Sequence, residues 1–255
     1  MTDVPQHETT APANGHGPER PPLTVVMPAY NEEGAIVDAV ADVQTHVLDL
    51  VPGAELMVVN DGSRDGTEAI LDGIVAEDGR VRAIHQKNTG HGGAVMRGLS
   101  EARGHYVMLI DSDRQIPLDS FGRFWEEAKK GRDAVFGVRT IRHDAKIRII
   151  LTRIVRKTLG LLFATRLHDA NVPYKLLKRD LWESASRFIP EGTLAPSLFL
   201  AVYARVSGAD IAEIEVTHLD RATGEVSIKR WKLFKFCWVA FRQLLAFRRQ
   251  VRGVR

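Results

Sequence analysis

The chain has 255 residues, of which 44% are hydrophobic and 26% charged, with a single cysteine, Cys237. That is the balance of an ordinary globular protein with one large domain or two small ones; it excludes an intramolecular disulfide and fits a reducing, cytosolic setting. The charge is divided unevenly: residues 1–140 carry 13 Lys/Arg and 22 Asp/Glu, residues 141–255 carry 22 and 10, so the first part suits a metal and polar ligands and the second an anionic surface.

Residues 1–22 are rich in Pro, Thr, Gly and His. They lack the apolar core and cationic start of a signal peptide and read as a disordered tail. Leu23–Pro28 is a short apolar run that reads as a buried strand. Asn31 is placed to cap a helix with Glu32 and Glu33 in its first turn, and Ile36, Val40, Val43 and Val47 continue it at helical spacing. Ala54–Asn60 is a second strand running into the turn Asp61–Thr67, and a helix follows over Glu68–Glu77. Val81–His85 is a third strand. The loop Gln86–Gly93 leads into a helix ending near Ala102, and Tyr106–Ile110 is a fourth strand with Asp111 at its end.

The second half is less regular. Lys146–Arg166 is basic and apolar together and reads as a helix. Leu194–Val206 is a more apolar helix, Ala209–Val216 a strand, and 218–227 a polar loop. Ser227–Arg249 reads as one amphipathic helix; residues 227–255 hold nine Lys/Arg, no acid and six Phe or Trp. Such a helix lies on a membrane surface or packs its apolar face on the domain, and the aromatic load favours the membrane. It also suits a membrane-protein partner. No nucleic-acid recognition motif accompanies the charge. No stretch is long and apolar enough to span a bilayer.

Strand alternating with helix over short connections predicts a parallel sheet covered on both faces. Ligands bind such sheets beyond the carboxyl ends of the strands. Three polar clusters stand there: Tyr30-Asn31-Glu32, Asn60-Asp61-Gly62-Ser63 and Asp111-Ser112-Asp113. Strand alternation turns Asp111 and Asp113 toward one crevice and Ser112 away. Two such carboxylates suit Mg²⁺ or Mn²⁺, with coordination positions left for water and diphosphate; the bland alternative is a pair of solvated loop acids. Asp61 can accept hydrogen bonds from a base or ribose, and equally ends a turn before a helix. The glycines of Asn88–Ala94, Gly90 among them, let backbone N–H groups approach an anion. That spacing is not a dinucleotide fingerprint, and the nine His show no zinc-ligand pattern.

In order along the chain, VVMPAYNEE, VVNDGSRDGT, NTGHGGA, DSDRQ, GVR at Gly137–Arg139, DANVPYKLLKR and HLDRATGEVSIK resemble glycosyltransferase family 2. Within that family it resembles the polyprenyl-phosphate sugar synthases, of the dolichyl-phosphate mannose synthase kind, and the likeness runs from about Leu23 to Leu233. The resemblance implies an α/β GT-A fold over 23–226, with a mostly parallel sheet, and a basic C-terminal helix over 227–255. It implies a GDP- or UDP-hexose donor and a Mg²⁺ or Mn²⁺ cofactor. Pro28, Tyr30, Glu32, Asn60, Asp61, Gly90, Asp111, Ser112 and Gln115 would lie at the nucleotide-sugar site, with Asp111 and Asp113 on the metal. Asp113, Arg139 and Arg221 would be catalytic, and Asp169, Ser227 and Lys229 would face the acceptor. The chain departs from the family pattern at Asn60, where an acidic pair usually begins, and in the stretched spacing from Gly224 to Ser227 and Lys229.

Many family members acting on sugar hydroxyls carry a downstream Glu-Asp or Asp-Asp pair and a Gln-x-x-Arg-Trp segment, neither of which this chain shows. A phosphate acceptor is already anionic near neutral pH and needs cations rather than a base. The expectation is therefore an inverting hexosyltransferase using a polyprenyl phosphate, bound peripherally to the cytoplasmic face of a membrane. A hydroxyl acceptor with Asp169 as base, or a non-catalytic binding protein, are the alternatives.

Overall fold

The computed structural model describes residues 20–139, 157–165, 167–219 and 230–253, and of 230–237 it describes the helical backbone alone. In chain order come β1 (Leu23–Ala29), α1 (Ile36–Val43), β2 (Glu55–Asn60), α2 (Thr67–Glu77), β3 (Val81–His85), α3 (His91–Glu101) and β4 (Tyr106–Leu109). Then follow α4 (Phe121–Lys129), β5 (Ala134–Arg139), the helical residues 157–163 (α5), β6 (Lys175–Lys178), α6 (Arg179–Ser186), α7 (Pro196–Val206), β7 (Ile211–Val216) and α8 (Arg230–Val251). The strands form one sheet in the order β3-β2-β1-β4-β6-β5-β7.

All seven residues of β1 are buried, because the strand is central and covered on both faces. Val25 and Met27 point into a layer closed by α1, α2 and α4. Val26 points into a second layer closed by α3, α6, α7 and α8. Gly98 of α3 permits the close approach on that side: a Cβ there would lie 2.3 Å from Val26 Cγ1. The carbonyls of Pro21 and Pro22 accept N–H groups from His105 and Tyr106, so pairing with the β4 segment begins before β1.

The sheet is parallel except at β6, which runs antiparallel to both β4 and β5. This strand, α4 and α6 were not foreseen. β6 has only four residues, and its apolar pair Leu176-Leu177 is flanked by lysines, which hides it from a search for apolar runs.

The first helix starts later than Asn31. Asn31 adopts a left-handed φ of 55°. The backbone N–H groups of Asn31, Glu32 and Glu33 donate to Ser63 Oγ, Thr67 Oγ1 and Asp65 Oδ2 at 2.9, 2.9 and 3.2 Å. The donors a helix start leaves free are thus taken by the β2–α2 turn, and α1 begins at Ile36. Its stripe Ile36, Ala39, Val40 and Val43 is buried, and Val47 continues it through a π-helical turn, Gln44–Leu48.

Of the helix expected at 146–166, the part at 157–163 is helical and ends at Ala164, which takes a left-handed φ of 51°, while 146–156 and 166 lie outside the described residues, as do residues 1–19 of the expected tail. At the C-terminus, Leu244, Phe247 and Val251 of α8 are buried in the second layer. The Phe247 ring meets Phe199 at 5.1 Å and Phe163 at 5.9 Å between centroids. One stripe of this helix therefore packs on the domain. No helix among the described residues is long and apolar enough to cross a membrane.

Candidate active site

Strand register brings the three polar clusters together. Ala29 pairs with Asn60 across β1 and β2, and Val26 pairs with Leu109 across β1 and β4. Tyr30, Asp61 and Asp111 therefore leave three adjacent parallel strands at one end of the sheet. They border a groove of about 410 Å³ with Pro28, Glu32, Gly90, His91, Ser112 and Asp113. That size falls in the usual range for small-ligand clefts.

Asp61 forms the inner wall and is 2% exposed. Its Oδ1 accepts Gln86 Nε2 at 2.7 Å, Thr89 N at 2.8 Å and Thr89 Oγ1 at 3.1 Å; its Oδ2 accepts Gly90 N at 2.8 Å. The carboxylate thus holds the 86–90 loop in the bend that opens α3, where Gly90 takes a φ of 84° that a side chain would strain.

Asn60 is brought close to the groove but does not line it. It is fully buried; its Oδ1 accepts Ser63 N at 3.1 Å and its Nδ2 lies 3.0 Å from His85 Nδ1. His85 Nε2 lies 3.1 Å from Asp72. With that nitrogen donating to Asp72, Nδ1 accepts from the Asn60 amide.

Asp111, Ser112 and Asp113 all line the groove. The strand alternation expected to turn Ser112 away does not apply here, because β4 ends at Leu109 and the three residues form a turn rather than a strand. Arg114 closes the turn with a left-handed φ of 55° and is anchored to α1 through Asp42 at 2.6 Å and Asp38 at 2.8 Å. Partial burial, with 32% of the side chain still exposed, pushes the Asp111 carboxyl up to about 6. The nearby Asp113 carboxylate adds to that rise, and His91, Arg139 and Lys175 oppose it. His91, at the start of α3, has Nε2 3.9 Å from Asp111 Oδ1.

On the far side of this turn lies a smaller recess of about 80 Å³ bordered by Asp111, Asp113, Gln115, Arg139, Tyr174 and His218. Gln115 donates its N–H to Asp113 Oδ1 at 3.2 Å and accepts Leu219 N at 2.8 Å, which ties the turn to the segment after β7. Arg139, at the end of β5, grips Asp169 through two parallel bonds of 2.7 and 3.0 Å. The Asp169 side chain is 3% exposed. Arg221, Ser227 and Lys229 lie outside the described residues.

Lys175, the first residue of β6, escaped the sequence reading although it stands in a quoted motif. It is fully buried and donates to Ala170 O at 3.2 Å, to Val172 O and to Ser197 Oγ at 2.7 Å, with the Phe136 ring 5.4 Å away. Burial lowers it to about 7; Asp169 opposes that fall, Arg139 adds to it, and Asp111 opposes it. The one available signal was a lysine inside the apolar run Tyr174–Leu177.

Among the described residues no cluster of three or more His, Cys, Asp or Glu forms a closed metal cage. Two carboxylates on a turn facing a groove fit a hard divalent cation that keeps coordination sites for water and diphosphate oxygens.

The profile of the family described as Glycosyl transferase family 2 matches residues 24–189. An undecaprenyl-phosphate 4-deoxy-4-formamido-L-arabinose transferase of Pseudomonas aeruginosa is 28% identical over 213 residues, 83% of this chain and 61% of that protein. The enzyme of the same name from Aeromonas hydrophila is 28% identical over 80% of this chain and 61% of its own length. The chain thus spans about three fifths of these relatives. Among solved structures, glucosyl-3-phosphoglycerate synthase of Mycobacterium tuberculosis with Mn²⁺, UDP-glucose and phosphoglyceric acid superposes with a TM-score of 0.64, at 20% identity, over 89% of this chain and 79% of that one. Staphylococcus aureus TarS in complex with UDP-GlcNAc gives 0.63 at 18% identity, over 88% of this chain and 66% of that one. These likenesses identify the GT-A fold.

Proposed function

Since the chain belongs to glycosyltransferase family 2, we propose that it moves a hexose, with inversion and with the help of a divalent metal, from GDP- or UDP-hexose to a polyprenyl phosphate. The observation that carries this reading is the pairing of two chemistries on one turn. Asp111 and Asp113 face a groove of nucleotide size on one side and the Arg139–Asp169 pair on the other.

Inversion requires the acceptor oxygen to attack the anomeric carbon from the face opposite the departing diphosphate. Pro28, Tyr30, Glu32, Asp61 and Gly90 would hold the nucleotide. Mg²⁺ or Mn²⁺ on Asp111 and Asp113, when bound, supplies positive charge for the leaving diphosphate. Arg139, close to the same turn, adds a fixed cation where negative charge develops or where an anionic acceptor sits.

A hydroxyl acceptor would need a base. Asp169, the residue nearest to that role, is gripped on both oxygens by Arg139. A carboxylate so paired is a weak proton acceptor but a firm way to aim a guanidinium. This favours the phosphate acceptor, in agreement with the acceptor in the relatives' names.

A polyprenyl phosphate is met at a membrane. α8 and the residues just after it, to Gly253, present an outward stripe opposite the buried Leu244, Phe247 and Val251. Trp238 is 63% exposed and Phe241 38%, with Arg242, Arg249 and Arg252 exposed on the same side and no acid between 230 and 253. Aromatic bulk flanked by cations suits peripheral attachment to an anionic, cytoplasmic leaflet.

The test is direct transfer. Purified protein with Mn²⁺, labelled GDP- or UDP-hexoses and a polyprenyl phosphate is expected to form a lipid-linked sugar that EDTA suppresses. Product only with a hydroxyl acceptor, or none with any donor, sinks the proposal.

A further inference from the structure

β6 lies between β4 and β5, and Lys175, like Leu176 and Leu177, pairs with both; its partners, Leu109 on one side and Phe136 on the other, are those nearest the site end of the sheet. Leu109 leads two residues later to Asp111, and Phe136 three residues later to Arg139. Strand position 175 therefore sits beneath the two strand ends that form the recess.

An apolar residue would serve the sheet and the α7 layer at this position. A buried ammonium is costly unless each N–H finds an acceptor. Here three N–H groups meet three acceptors: Ala170 O, Val172 O and Ser197 Oγ, and Ser197 Oγ itself donates to Val172 O at 2.8 Å. Ala170 and Val172 belong to the segment that follows Asp169 directly. The same amine thus draws that segment onto the sheet from below, while Arg139 grips Asp169 from the β5 side.

We infer that Lys175 is a positioning residue for the acceptor side: by gathering the Ala170 and Val172 carbonyls with Ser197, it sets Asp169 where it aims Arg139 at the Asp111–Asp113 turn. This rests on the proposed function only in naming the acceptor side. Apart from the shared Asp111–Asp113 turn, the donor groove draws its walls from other segments, so the two sides can respond separately.

Lys175→Met keeps the length and apolar stem and removes the ammonium. With the full chain and whichever acceptor the wild type uses, donor-nucleotide affinity in Mn²⁺ is expected to stay at the wild-type value. Acceptor kcat/KM is expected to fall by about 10²-fold, the scale of a misplacement near 1 Å. Lys175→Met combined with Asp169→Asn is expected to be no worse than the worse single variant, because both act through one arrangement. Equal losses of donor and acceptor binding, additive losses, or unchanged acceptor kinetics overturn the inference.

Amide exchange supplies a readout independent of activity. Lys175→Met is expected to speed exchange over 169–173 and not over 86–90; unchanged exchange over 169–173 overturns the inference. A wild type that transfers sugar to no acceptor would count against the proposed function, while exchange still decides the role of Lys175. If Lys175→Met fails to fold, Ser197→Ala removes one acceptor and leaves the charge. It is expected to change acceptor kcat/KM and exchange over 169–173 in the same directions by less, and wild-type behaviour in both overturns the inference.

Discussion

On the donor side of the Asp111–Asp113 turn, backbone N–H groups carry much of the hold on polar side chains; on the acceptor side, side-chain pairs carry more of it, beside the two backbone carbonyls that take Lys175. Asp61 takes the N–H groups of Thr89 and Gly90, Asn60 that of Ser63, and Glu33 that of Gly66. Across the turn, Arg139 meets Asp169 thirty residues away, and Lys175 meets Ser197. Backbone donors at strand ends follow from the α/β topology itself. Side-chain pairs depend on two residues chosen together, so they are the part of the site that a sequence change alters most easily. The donor side is therefore expected to be the more general half of the machine and the acceptor side the more particular one.

Asp113 belongs to both sides and should show the largest effect. Asp113→Ala is expected to lower kcat by roughly 10²–10³-fold, the scale of losing one electrostatic contact in a transition state. The Asp113 N–H acceptor is lost too, but Gln115 remains tied to Leu219, so the melting temperature should hardly move. Retained transfer would remove this turn from the chemistry. An equal fall in melting temperature would make Asp113 a structural residue.

This division also explains what was legible beforehand. β1 to β4 and their helices could be read because apolar runs such as Leu23–Pro28 end in Asn, Asp and Gly, and the groove residues sit within a few positions of those ends. Asn31 misled because its helix-capping look was real, but the neighbouring N–H groups turned to Ser63, Thr67 and Asp65, which lie more than thirty residues away. Lys175 and the antiparallel β6 were invisible for a related reason. The one local sign, a lysine beside Tyr174, Leu176 and Leu177, does not reveal burial when its acceptors are two carbonyls of a bend and a serine on another helix. Arg114 was passed over likewise, since its partners are on α1. For α8, composition alone could not separate the stripe that packs from the stripe that faces out.

The packed stripe offers the next effect in size. Phe247 is fully buried between Phe163 and Phe199, so Phe247→Ala is expected to destabilise the fold by about 3 kcal/mol or somewhat more. Urea unfolding measures it. Because α7 carries Ser197 as well as Phe199, acceptor kinetics should suffer in the folded fraction before donor affinity does. A variant with wild-type stability would mean that α8 is detachable, and the contrast between its two stripes would fail.

The outward stripe should respond in the opposite way. Trp238→Ser with Phe241→Ser is expected to weaken sedimentation with vesicles of anionic phospholipid by about tenfold, on the order of 1.4 kcal/mol, while leaving the melting temperature alone. Both rings are exposed, so little packing is lost. Undiminished vesicle binding with a lowered melting temperature would place these rings in a protein contact instead.

The last effect is a pH trend set by Lys175. Unfolded, it titrates near its ordinary 10.5, and in the fold burial brings it to about 7, with Asp169, Arg139 and Asp111 the charged groups that act on it. Between those values the unfolded chain holds the extra proton, so stability gains from rising pH across that window. Below about 7 both states are protonated and the trend stops. Lys175→Met lacks the group, so the stability difference between wild type and variant should move in the wild type's favour from pH 6.5 to pH 9, read from urea midpoints at each pH. A difference that stays constant would mean that Lys175 keeps its proton throughout, with its three acceptors outweighing the loss of solvent. The acceptor side would then be held by a permanent cation, not by one that the surrounding charges have to sustain.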